Sequence, residues 1–147
     1  MEELLELKTY IQNRQYADAL LLIGEMEEMS RDDKITKIFS YAEILILHLV
    51  KQYAEKRSTR SWSASIQNSA YKINYINKRR KSGGYYLSAD ELKDILDDVW
   101  PLAIIRASLE AFEGRYDETE IAKMVNAEQI KADALGLIRD SATKICR

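Results

Sequence analysis

From Ile35 to Tyr53 the apolar side chains Ile35, Ile38, Phe39, Ala42, Leu45, Ile46, Leu49 and Tyr53 step by three, four and seven. Steps of that size return to one side of a helix, whereas a strand turns alternate residues to opposite faces. The pattern predicts a long helix over 31–55. Ile44 and Leu47 widen its stripe, so its middle is expected to be covered on more than one side. The same periodicity recurs along nearly all of the 147 residues, and one proline with five glycines leaves little turn material for an all-β chain. The predicted fold class is all-α: a single up-and-down-like helical bundle of five to six helices, in one domain over 1–147.

An opening helix is expected over about 2–13, with Leu4, Leu5, Leu7 and Ile11 on its buried side. A second covers about 16–29 and turns Tyr16, Ala19, Leu20, Ile23 and Met26 inward. Ser30 ahead of Asp32 and Asp33 reads as the cap of the 31–55 helix, which the polar tract Arg57-Ser58-Thr59 ends. A fourth helix is placed at 60–80 with Trp62, Ile66, Ala70, Ile73 and Ile76 inward, its start capped by Ser61 and Ser63. Ser82-Gly83-Gly84 is a loop, and Ser88 with Glu91 matches a capping box that opens a fifth helix over 88–112. That helix carries Leu92, Ile95, Leu96, Val99, Leu102, Ala103 and Leu109, with a kink rather than a stop at Pro101. A turn at 113–116 precedes a last helix or pair over 117–145. The core is assigned to the helices at 31–55, 60–80 and 88–112.

Charge is segregated along the chain. Residues 51–81 hold nine bases against Glu55, a balance of +8; with a net charge of −2, the remainder carries −10. Residues 1–34 carry nine acids and four bases, and 82–120 carry ten acids and three bases. Segregation of this size bears on association and steering rather than on fold. The lone Cys146 forms no internal disulfide, the N-terminal residues are acidic where a signal peptide is basic, and no apolar run reaches about 18 residues. The expected address is the cytoplasm, with no membrane partner.

The segment His48–Ile66 carries the most specific motif: His48-Leu49-Val50-Lys51 at the end of an apolar helix, a basic linker from Arg57 to Arg60, then Ser61-Trp62. Upstream stands the acidic tract Glu25-Met26-Glu27-Glu28-Met29, and downstream Val99-Trp100-Pro101-Leu102-Ala103. On these residues the chain resembles domain-of-unknown-function family twenty-nine, populated mainly by cyanobacterial proteins, over roughly 4–112, with 113–147 as a helical extension. The chain departs from the family pattern after Trp62, where Ser63-Ala64-Ser65 and Gln67-Asn68 stand in place of a basic residue. The resemblance implies a helical bundle without assigned chemistry and supplies no catalytic residue.

The residues themselves give little support to catalysis. His48 is the only histidine, and the simplest reading is a helix-packing residue hydrogen-bonded to a polar neighbour. No His or Cys stands three or four residues away, so neither a zinc site nor a paired carboxylate–histidine site is expected. Tyr41, Ala42 and Glu43 occupy the positions where a small helical nuclease with an Arg-x₄₋₆-His motif needs arginine, and the glycine loop is no phosphate cradle. No cofactor is expected. Trp62 and Trp100 read as core anchors.

The basic residues Arg57, Arg60, Lys72, Lys78, Arg79, Arg80 and Lys81, with Tyr71, Tyr75, Tyr85 and Tyr86 nearby, form the candidate interaction surface. The leading expectation is a non-enzymatic protein-interaction module that binds another protein or itself, as a homodimer, through charged surfaces. The first alternative is nucleic-acid binding by 57–81, alone or in a regulatory pair with a second protein, since cations with interleaved rings suit single strands. The second is an enzyme centred on His48. Asp94, Asp97 and Asp98 are the expected partners if the bases are instead neutralised internally.

Overall fold

A computed structural model describes residues 2–79 and 83–145, with side chains as far as residue 141. Arg80, Lys81, Ser82 and Cys146 lie outside the described residues. The described chain forms six α-helices: α1 (Glu2–Gln12), α2 (Tyr16–Glu55), α3 (Arg60–Asn77), α4 (Ala89–Glu110), α5 (Glu118–Met124) and α6 (Ala127–Ile145), with a 3₁₀ turn at Ala111–Gly114. The fold is an all-α helical bundle. The chain divides into two compact units, Met1–Ile35 and Thr36–Arg147, and the division falls inside α2.

The expected break at Ser30 is absent, and residues assigned to two helices form the single α2. Neither proline nor glycine stands between Glu25 and Asp33 to stop it. Serine inside a helix costs only a few tenths of a kcal/mol, and Glu27 precedes Arg31 at the four-residue spacing that supports helices. A cap signal opens a helix only where something has closed the one before.

In the first unit, α1 and the start of α2 are joined through Arg14, whose left-handed backbone (φ 59°) turns the chain. Ala19 is its buried hydrophobic residue. The side expected to be buried is largely exposed: Leu4, Leu5, Ile11, Tyr16 and Leu20 all lie open, while Leu7, Ile23 and Met26 are half-buried.

In the second unit, α2 is the central element. Leu45, Ile46 and Leu47 are consecutive and each is at most 1% exposed, which one helix face cannot achieve; the helix is covered on more than one side there. Around it α3 packs on α6, and α4 packs on α5 and α6. Ile66, Ala70 and Ile73 of α3 and Ile130, Ala134 and Ile138 of α6 are buried where the two helices are packed together, so α6 joins the three helices expected to form the core. The hydroxyl of Tyr53 on α2 donates to Asp133 on α6, and Arg106 on α4 pairs with Glu43 on α2 at 3.0 Å.

α4 runs through Pro101 without ending, and its buried stripe is Val99, Ala103, Ala107 and the adjoining Ala111. Leu102 and Leu109, expected inside, are 45% and 73% exposed. Alanines fill three positions of this stripe, while Leu102 and Leu109 are turned outward. The Ser88–Glu91 capping box forms as the sequence predicts: Ser88 Oγ accepts from the Glu91 N–H, and Glu91 Oε1 from the Ser88 N–H.

Candidate functional site

The junction of α2 and α3 gathers the motif residues. Lys56, left-handed at φ 55°, terminates α2. Thr59 then caps α3, its Oγ1 accepting from the Trp62 N–H at 3.0 Å, so the cap lies two residues before the expected Ser61. Ser63 instead shares a hydroxyl contact of 3.1 Å with Ser58. The half-buried indole of Trp62 lies between two cations, Lys51 Nζ and the Arg57 guanidinium, each 4.7 Å from the ring centroid. Lys51 is only 6% exposed, and its ammonium reaches Glu110 of α4 at 3.1 Å. Trp62 is thus a packing platform for a buried ammonium, and both it and Trp100, expected as core anchors, are half-buried instead.

His48 stands one turn before Lys51 and is half-buried. Its Nδ1 is buried without a hydrogen-bond partner, contrary to the expected bond to a neighbour. Its pKa lies below the ordinary imidazole value, first because burial disfavours the cation and then through the positive charge of Lys51; Glu110 opposes the shift and Arg106 adds to it. The unfolded chain therefore takes up a proton before the folded one does. His48 should favour the fold fully above about pH 6.5 and less as pH falls from there toward the depressed folded value. Urea midpoints of the wild type should drop between about pH 7.5 and about pH 5.5 by more than those of His48→Gln. Equal drops would remove His48 from the account.

Three of the five described bases of the candidate surface are engaged within the chain. Arg57 pairs with Glu55 at 3.1 Å besides lying on Trp62. Lys72 donates to the Tyr41 hydroxyl at 3.3 Å and lies 5.2 Å from the same ring, and Arg79 lies 5.2 Å from the Tyr86 ring. The side chains of Arg60 and Lys78 are exposed and make no ion pair with a described residue. Of the acids expected to meet these bases, Asp97 instead takes Lys131 of α6 at 3.0 Å, and Asp94 and Asp98 remain exposed. Lys131 also lies 5.4 Å from the half-buried Trp100 ring. Among the described residues of this segment, Lys51, Arg57, Lys72 and Arg79 lie against aromatic rings, and Lys51 and Arg57 also pair with carboxylates. Among the described residues no group of three or more His, Cys, Asp and Glu is placed to hold a metal ion.

A feature with no counterpart in the sequence reading lies in the Met1–Ile35 unit. Leu4, Leu5, Ile11, Tyr16, Leu20, Leu21 and Met29 are all 48–70% exposed. Leu4, Leu7 and Ile11 share one side of α1 by their spacing, as do Tyr16, Leu20 and Ile23 on α2. The nine acids of this unit are exposed on the same two helices. Its acidity was legible; its apolar exposure was not, because helical periodicity gives the side of a helix and not what covers it.

Among the described residues no helix is long and apolar enough to cross a membrane. No curated protein and no solved structure matches the chain. The family model described as "Domain of unknown function DUF29" matches residues 3–130, from the start of α1 through α5 into the first turn of α6. The match spans both compact units and the whole Lys51–Trp62 junction, and on it the chain belongs to the DUF29 family.

Proposed function

We propose that this chain is a non-enzymatic interaction module of the cytoplasm whose Met1–Ile35 unit docks an amphipathic helix with basic flanks on a partner protein. The observation that carries the reading is the exposure of seven large apolar residues on a unit whose buried hydrophobic residue is an alanine. Apolar surface so concentrated marks an interaction site. The charge of the unit, nine acids against four bases, selects the occupant: it attracts a basic partner and repels a second copy of itself. The single cysteine suits a reducing compartment. Nucleic-acid binding by 57–81 has less support, since Arg57, Lys72 and Arg79 lie against rings of the chain itself.

The test is calorimetry of the full chain with a designed helix of about 18 residues built from Leu and Lys, beside a Leu/Glu counterpart. The Leu/Lys helix should bind, more weakly at about 500 mM than at about 50 mM salt, and the Leu/Glu helix should not. Leu20→Glu combined with Leu21→Glu should abolish binding and leave the thermal melt unchanged, both side chains being more than two-thirds exposed. Binding blind to peptide charge, or unaltered in the double variant, would overturn the reading. So would a stable homodimer in light scattering that ignores the peptide.

A further inference from the structure

A hollow of about 650 Å³ opens where the end of α3, the start of α4 and α6 meet, all within the Thr36–Arg147 unit. That volume falls within the range of about 300–1,000 Å³ that holds small ligands. Its lining includes the aliphatic Leu87, Leu92, Leu135 and Ile138 together with Tyr85 and Tyr86. The wall polar groups differ in what they have left to offer. Asn77 uses both ends of its amide on Leu87, and Asn74 Nδ2 donates to the Ile138 carbonyl at 3.0 Å. Glu91 accepts from the Ser88 N–H in the α4 capping box, which fixes its charge at the helix start. Among the described residues that line the hollow, Arg139 is the cation; it is exposed and makes no ion pair with a described residue. Its neighbour Asp140 lines a different hollow, with Ala64 and Leu137.

Aliphatic side chains beside a guanidinium that pairs with no described acid match one kind of molecule: an apolar body carrying a single acid group. Burial of the body supplies affinity, and a forked, charge-assisted contact to the acid supplies orientation. We propose that this hollow is a binding site for a small amphipathic carboxylate, with its chain over Leu92, Leu135 and Ile138 and its head group on Arg139. The site is separate from the docking surface above and does not depend on it.

The probe is decanoate, titrated into the full chain by calorimetry, with decylammonium as the opposite-charge control. Decanoate should saturate at one per chain and decylammonium should not bind. Arg139→Gln should weaken decanoate about tenfold and Arg139→Lys should restore part of the loss, because a neutral amide forfeits the charge-assisted contact. Leu135→Trp should fill the hollow and abolish binding. If that variant folds poorly, amide shifts on decanoate addition to the wild type should centre on Asn74, Leu87 and Leu135. Absence of saturable binding would overturn the proposal. Equal affinity for both probes, indifference to Arg139→Gln, or shifts confined to residues before Thr36 would do the same.

Discussion

Asn77→Ala is expected to cost this fold about 2–4 kcal/mol in urea unfolding, far more than its size suggests. Asn77 closes α3, is 3% exposed, and clamps the chain that returns toward α4. Its Oδ1 accepts from the Leu87 N–H at 2.8 Å and its Nδ2 donates to the Leu87 carbonyl at 3.1 Å. Its own carbonyl accepts from the Tyr86 N–H at 2.9 Å. Leu87 is 3% exposed, so truncating the amide strands two buried backbone groups, each costing about 1–3 kcal/mol unpaired. Asn77→Asp keeps an acceptor for the N–H but faces the Leu87 carbonyl with a second oxygen, and should be no milder than alanine. A loss below about 1 kcal/mol would mean that Leu87 finds other partners and that the clamp is not structural.

The second large effect is an asymmetry. Glu110→Ala should destabilise by about 2–4 kcal/mol, while Lys51→Met should cost about 1 kcal/mol or less. The Lys51 side chain is 7% exposed, whereas that of Glu110 is 41% exposed. Removing the glutamate leaves a buried ammonium with, among the described residues, the Trp62 face; removing the lysine leaves a carboxylate that water can solvate, and methionine keeps the packed stem. His48 reports the same geometry independently. Lys51 lowers its pKa and Glu110 raises it. Its NMR titration should therefore move up in Lys51→Met and down in Glu110→Ala. Equal costs, or shifts of the same sign, would contradict the arrangement.

These sites show how far the sequence could be read. The helical class, the Ser88–Glu91 box, the turn after α4 and the family motif at 48–66 rest on local chemistry and were legible. Ser30 misled because a cap signal states a preference, and nothing nearby forces the chain out of the helix. Leu102 and Leu109 misled because an apolar period gives the sides of a helix and not what covers them; Ala103, also expected inside, is buried, as is Ala107. The fate of the basic segment depends on which rings the fold brings near, and neither the Tyr41–Lys72 nor the Tyr86–Arg79 pairing has a signal in spacing. Asn77 was silent for the same reason: its partner is a backbone ten residues away. The Arg139 hollow forms only when α3, α4 and α6 are assembled.

Amide hydrogen exchange of the full chain, with and without the Leu/Lys helix, tests the docking claim most directly. In the free chain, amides of α1 and of α2 before Thr36 should exchange much faster than those around Leu45–Leu47, because little apolar burial supports them. Adding the helix should slow exchange in Met1–Ile35 and leave the second unit unchanged. Protection that falls only after Thr36, or a first unit already as protected as the core before any helix is added, would contradict it.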